Sequence, residues 1–417
     1  MSPNTAVIEK PWSSARSGRP DARQAARLTA AEAIERARAL RPVLAGRAAE
    51  AESLRHCPPQ SVRDLFDSGL MRMMQPIPFG GSDLRVDVLA ECSLEMAKSC
   101  ASTAWVFLNL ASHSWNIGQF PLQAQHEVWD DDPEALVATG LALPCGQAKP
   151  VEGGYLVSGR WPFGSGVDAA TWMWVGAMTR MPDGPPEKRF FLVPQPAFRS
   201  LDNWQASGLR GTGSHDVEVG EVFVPAHRSV LADLFATSTE LPGAALYESA
   251  NYRLPGFATF GFLLASAPIG AAAGAVEWFA ESIRRRSGTY TGARLAEVST
   301  VQMRLAEASV ITDMVLVTYR KNLSDLVAAA EAGETPSIET RLRWKRDLAY
   351  QVRECARALD VLMPALGAGG LSMTHPVQRA CRDVHAAASH IALTWDMQAG
   401  AYAQQRLGVP LPAGMIF

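Results

Sequence analysis

The 417 residues, 47% of them hydrophobic, suffice to bury a large core split over two or three subdomains. A net charge of −3 with dispersed basic residues gives no electrostatic bias toward nucleic acid or an anionic membrane. The six cysteines (Cys57, Cys92, Cys100, Cys145, Cys355, Cys381) form no C-x-x-C pair and no zinc spacing, which fits reduced thiols in a cytoplasm.

Residues 1–24 are polar, lack the apolar segment of a secretory signal and read as a disordered tail. Residues 25–134 read as a helical domain. The stretch 29–56 is a helix of Ala, Glu, Arg and Leu, expected to break or kink near Pro42. "SVRDLFDSGL" (61–70) starts a short amphipathic helix at a Ser61 cap. "GGSDLRVDVLAECSLEMAKSC" and "TAWVFLNLASHSWNIGQF" add two more helices, the second nearly all apolar and therefore central.

Residues 135–235 change texture. "GYLVSGRWPF", "TWMWVGAMT", "KRFFLVP" and "DVEVGEVFVP" are short β-branched and aromatic runs separated by Gly, Pro and Asp. Val217, Val219, Val222 and Val224 alternate with a phase shift at Gly220-Glu221, which predicts a bulge or turn. No long apolar helix separates these runs, so an antiparallel β domain is favoured over a Rossmann sheet.

Residues 236–417 carry helices expected over 256–286, 295–332, 337–366 and 376–407, an antiparallel four-helix bundle. The uncharged run 254–276 is long enough to span a membrane. Its Pro268, its Gly/Ala content and the missing aromatic belt instead predict a buried helix. "RDVHAAASHIALTWD" (382–396) places His385 and His390 in the last helix, where five residues turn roughly 140°. They can share neither a pocket nor a metal ion, for which i,i+4 spacing is needed. No metal is expected. No G-x-G-x-x-G or Walker motif follows a strand, so no nicotinamide or nucleoside triphosphate site is expected.

The order of the three parts, with "PFGGSDL", "GGYLVSGRWPFGSG", "GLRGTGSHDVEVGEVFVP" and "GGLSMTHPVQRACRDV", resembles the acyl-CoA dehydrogenase superfamily after residue 30. "SCASTAWVFLNLASHSWNIGQF" and "RDVHAAASHIAL" are similar to the oxygenase components of two-component flavin-dependent monooxygenases, such as the 4-hydroxyphenylacetate, secosteroid-phenol and dibenzothiophene enzymes. The resemblance implies an α+β, mostly α fold with an N-terminal helical domain, a middle antiparallel β-barrel-like domain and a C-terminal four-helix bundle. It also implies a homotetramer. Many dehydrogenase relatives carry a Tyr-Glu-Gly-Thr segment whose Glu is the base. Here the matching residues are His390, Ile391, Ala392 and Leu393, and isoleucine cannot take a proton. Other branches place that Glu on another helix, so a dehydrogenase using FAD remains the first alternative; a non-catalytic flavin-binding or scaffold protein is the second.

For the site, the resemblance implies Ser165 beside flavin N5; the plain reading is a turn serine after Gly164. It implies His390 facing flavin and substrate, donating to a peroxide oxygen or accepting a phenolic proton near the ordinary pKa of ~6.5. His385 keeps a structural reading. His113 is either a hydrogen-bonded core residue or a substrate contact. Trp204, Leu141 and Thr212 fall in stretches the family uses near the flavin; Trp115 and Trp161 are pocket or core residues. Arg284, Arg285 and Arg286 close a helix, where the dipole alone explains cations. The resemblance implies Arg284 or Arg286 on flavin phosphate. Gly369 and Gly370 bring backbone N–H groups toward an anion or simply make a tight turn. The expected activity is hydroxylation of a small aromatic substrate by a C4a-hydroperoxyflavin, formed from O2 and reduced flavin (FMNH2 or FADH2). The flavin would diffuse from a separate NAD(P)H:flavin reductase.

Overall fold

The computed structural model describes residues 26–411, apart from 239 and 289–291; the expected tail over 1–24 lies outside the described residues. Helix α1 (Ala30–Leu54) opens with a capping box in which Thr29 and Glu32 exchange hydrogen bonds. It runs through Pro42 without ending there. Pro42 and Arg38, the residue whose carbonyl loses its helical donor to the proline, both lie on the exposed face. Helix α2 (Pro59–Asp67) starts at the prolines and not at Ser61, because proline is pre-shaped for the first helical position. Ser61 is buried inside the helix and accepts from Arg47. Helices α3 (Val86–Ala97), α4 (Ala101–Ile117) and α5 (Leu122–Trp129) follow, and every residue of α4 is buried.

The strands are β1 (Val137–Gly140), β2 (Gly146–Val151), β3 (Gly154–Gly164), β4 (Trp172–Thr179), β5 (Glu187–Pro194), β6 (Phe198–Leu201), β7 (His215–Pro225) and β8 (Ser229–Leu231). They form one sheet in the order β6-β7-β3-β2-β4-β5-β8, with β1 also on β4. The sheet is mixed, not purely antiparallel. Both β1 and β2 run parallel to β4, along the same edge, with residues 141–145 looping out between them. The β2–β3 hairpin supplies the crossover that a helix makes elsewhere, so the missing helix did not forbid parallel pairing. The phase shift at Gly220-Glu221 is a bulge: Val157 pairs with Val222, but Gly159 pairs with Val219.

The bundle consists of α6 (Gly256–Ile283), α7 (Ser299–Glu331), α8 (Ile338–Leu362), α9 (Pro376–Ala388) and α10 (Trp395–Arg406). The apolar α6 is a core helix, 94% buried over its most hydropathic window. Its Gly270 and Gly274 let it touch α3: a Cβ at either would lie 2.4 Å from the Leu94 carbonyl oxygen and 2.3 Å from that of Lys98. The fourth expected helix is two. The chain leaves helical geometry after Ala388: the Ser389 and His390 N–H groups bond only three residues back, to the Ala386 and Ala387 carbonyls, and the His390 ring takes the Ala392 N–H that a continuing helix would give to the Ala388 carbonyl.

Candidate active site

Helix α4 carries the site. The loop after β3 lies flat on it, since a Cβ on Gly166 (φ +72°) would already sit 3.1 Å from Val106 and from Leu110. This seats Ser165 over Trp105, whose indole N–H donates to Ser165 Oγ at 3.1 Å. Ser165 Oγ is 2.7 Å from Ser214 Oγ, which is 2.7 Å from Thr212 Oγ1, which donates to the Leu209 carbonyl at 2.8 Å. Ser165 is partly exposed, whereas Thr212 and Ser214 are buried. The other face of Trp105 meets the His390 ring edge-on at 5.7 Å between centroids. Two of the residues singled out from sequence, Ser165 and His390, thus converge on one indole.

His390 does not lie on the same helix as His385, contrary to expectation; it sits two residues beyond the end of α9. Its Nδ1 accepts the Ala392 N–H at 3.2 Å, and burial pushes its pKa down to about 4. The ring is therefore neutral near pH 7, and the hydrogen bond assigns the proton to Nε2. Near neutrality this tautomer presents Nε2 as a hydrogen-bond donor. His385, in the last turn of α9, is exposed and pairs with Asp360 at 2.9 Å. Asp360, Cys381 and His385 bring their ligating atoms within 4.8 Å of one another, a grouping the ion pair itself explains.

His113 has the opposite polarity. Its Nδ1 is 2.6 Å from the Val137 carbonyl, which can only accept, so Nδ1 carries the hydrogen. Nε2 is a bare acceptor, buried and without a protein partner, and burial pushes the ring to about 4. Trp174 and Phe260 flank it at 6.1 and 6.0 Å. An unsatisfied buried acceptor costs about 1–3 kcal/mol, a cost that a ligand donor would offset. His113 stands eight residues beyond Trp105 on α4, roughly 12 Å along the axis.

The remaining residues separate. Trp204 donates its indole N–H to Leu209 O at 3.1 Å and faces the exposed Phe163 at 6.4 Å, beside the Ser165 loop. Leu141 opens the excursion between β1 and β2 and packs against the aromatic cluster that holds Trp174. Trp115 and Trp161 are fully buried core anchors. Arg284 and Arg285 point to solvent and pair with Glu281. Arg286 alone turns inward: it donates to the Leu366 carbonyl at 3.3 Å, and its guanidinium lies 3.5 Å from where a Cβ on Gly369 would stand. Arg286, Gly369 and Gly370 therefore form a second grouping.

Sequence reasoning missed Trp105, Ser214 and Asp383. Asp383 is buried, accepts the Leu209 N–H at 2.6 Å, and burial pushes its carboxyl up to about 7. Gly208 touches α9 so closely that a Cβ would lie 2.0 Å from the Arg382 carbonyl oxygen. Glu52 ties Arg379 and Arg382 of α9 to α1. Helix α9 thus clamps the 204–214 loop, and its end delivers His390.

Residues 262–395 match the family of the acyl-CoA dehydrogenase C-terminal domain. The chain is 34% identical over 372 residues to the oxygenase component of an FADH2-dependent resorcinol hydroxylase from a Rhizobium strain, covering 87% of this chain and 90% of that one. The chain belongs to the oxygenase components of flavin-dependent monooxygenases. Solved structures superimpose closely. The 3-HSA hydroxylase from Rhodococcus sp. RHA1 gives a TM-score of 0.86 at 32% identity, over 91% of this chain and 98% of that one. XiaF from Streptomyces sp., solved with FADH2 and glycerol, gives 0.84 at 28% identity, over 92% and 97%. Ile391, next to His390, is exposed.

Proposed function

We propose that this oxygenase hydroxylates a phenol, using reduced flavin supplied by a separate reductase and O2. The observation that carries the proposal is the convergence of Ser165 and His390 on Trp105, which brings a partly exposed hydroxyl and a ring with its hydrogen on Nε2 to one indole. These residues fit a reduced flavin. Ser165 offers a hydroxyl to N5, the exposed Phe163 and Trp204 offer apolar surface to the ring, and Arg286 with Gly369 and Gly370 offers charge and backbone to phosphate. When bound, the reduced flavin would supply the activation of O2.

The protein's share is positioning and polarity. His390 would donate from Nε2 toward the reacting oxygen, and as a neutral ring it would not protonate a nucleophilic phenolate. His113 accepts from the substrate hydroxyl through its unpaired Nε2, which both orients the ring and raises its electron density. Met303, Val310, Met314 and Val317 form a stripe along α7, each between 51% and 70% exposed, the spacing of a helix–helix seam. That stripe supports self-association into the family's tetramer.

The test pairs substrates. With reductase, NADH and O2, resorcinol or a related phenol should be hydroxylated, while its fully O-methylated ether, which has no hydroxyl to donate to His113, should react at least tenfold more slowly. Equal rates refute the phenol reading. Met314→Glu should lower the molar mass in light scattering if the stripe is an interface.

A further inference from the structure

Resting on flavin binding at Ser165, we propose that Ser214 and Thr212 are positioning residues that make this site selective for the redox state of the flavin. Each hydroxyl has one hydrogen to donate. Thr212 Oγ1 lies 2.8 Å from the Leu209 carbonyl, which can only accept, so the Thr212 hydrogen points there. The 2.7 Å contact between Thr212 and Ser214 then takes the hydrogen of Ser214, and the 2.7 Å contact between Ser214 and Ser165 takes that of Ser165. The reverse order would leave two oxygens 2.8 Å apart with no hydrogen between them.

The order is held at its far end. The Leu209 carbonyl also accepts from Trp204, its N–H is held by Asp383, and burial of Thr212 and Ser214 keeps water from replacing a link. At the near end, the Trp105 N–H fills one lone pair of Ser165. What Ser165 retains for a ligand is its second lone pair.

N5 of a reduced flavin carries a hydrogen and donates. N5 of an oxidised flavin is a bare nitrogen that needs a donor. Ser165 therefore accepts a hydrogen bond from the reduced form and meets the oxidised form lone pair to lone pair. The hydroxyl chain favours capture of the reduced cofactor and release of the oxidised one.

The experiment titrates the full chain with oxidised FAD and FMN by flavin fluorescence and, anaerobically, with the reduced forms. Wild type should bind reduced flavin more tightly. Ser214→Ala frees the Ser165 hydroxyl to donate to oxidised N5, so oxidised-flavin affinity should rise about tenfold, the scale of one hydrogen bond, with reduced-flavin affinity within about twofold. Ser214→Thr keeps the order of donation and should keep the discrimination. Thr212→Val, which breaks the chain one link further on, should move the ratio in the same direction and serves if Ser214→Ala fails to fold. An unchanged ratio in the folded alanine or valine variant, or a wild type that binds both forms equally, overturns the proposal. A wild type that binds neither form overturns the flavin reading itself.

Discussion

Trp105→Phe isolates one hydrogen of the site. Phenylalanine keeps an aromatic ring against His390, now 5.7 Å from the indole, but removes the N–H that donates to Ser165 at 3.1 Å. Ser165 then keeps its link to Ser214 but loses the donor that fixes its orientation. A neutral hydrogen bond contributes about 0.5–1.5 kcal/mol, which at about 1.4 kcal/mol per tenfold is roughly a 2- to 12-fold change. Removing part of a buried indole also leaves a void, so thermal stability should fall by about 1–3 kcal/mol irrespective of function. The two effects separate by assay. Thermal melting reads the void. Hydrogen peroxide released per hydroxylated product, in a reductase-coupled reaction, reads the bond and should rise within that 2- to 12-fold range. If the variant melts lower yet couples like wild type, the Trp105 N–H has no role in holding Ser165 for catalysis.

Four further outcomes are expected. His390→Gln keeps an N–H donor and should hydroxylate within about tenfold of wild type, whereas His390→Phe should lose about 10²-fold; equal losses would remove the donor role. With its pKa near 4, His390 stays neutral above pH 6, so no step in hydroxylation rate between pH 6 and 8 should be abolished by His390→Gln. His113→Phe should raise KM for a phenol more than for its methyl ether, and a parallel rise in both would return His113 to the core. Asp383 tests a sign. Its folded pKa of about 7 exceeds the ~3.9 of an unfolded aspartate, so proton binding stabilises the fold. That stabilisation is complete below ~pH 4 and lost as pH rises through about 7. Asp383→Asn keeps an acceptor for the Leu209 N–H without titrating. Between pH 5 and 7 wild type should lose up to about 1.4 kcal/mol per pH unit relative to that variant, measured by denaturant unfolding. Parallel curves would contradict the raised pKa.

The helices and the bulge at Gly220-Glu221 were legible because periodicity records which face is buried. The break after Ala388 was not, since no Gly or Pro marks it. The His390 side chain contributes to it, because its ring nitrogen takes the Ala392 N–H that a continuing helix would give to the Ala388 carbonyl. Parallel pairing of β1 and β2 with β4 was hidden because a hairpin replaces the crossover helix. At the site, Ser165 and His390 stood out only through resemblance to relatives. Trp105 did not stand out, because an indole inside an apolar helix looks like packing until its N–H partner is known. The opposed tautomers of His113 and His390 depend on single backbone groups, Val137 O and Ala392 N, that no residue pattern reveals.

The proposed reaction inserts one atom of O2 into a phenol with reduced flavin from another protein. Turnover under 18O2, with a separate flavin reductase and NADH, tests it most directly by mass spectrometry of the product. One 18O atom per hydroxylated phenol, with no product when the reductase is left out, is the expected result. Unlabelled product, or no product from any phenol alongside bleaching of bound oxidised flavin by an acyl-CoA, would contradict it.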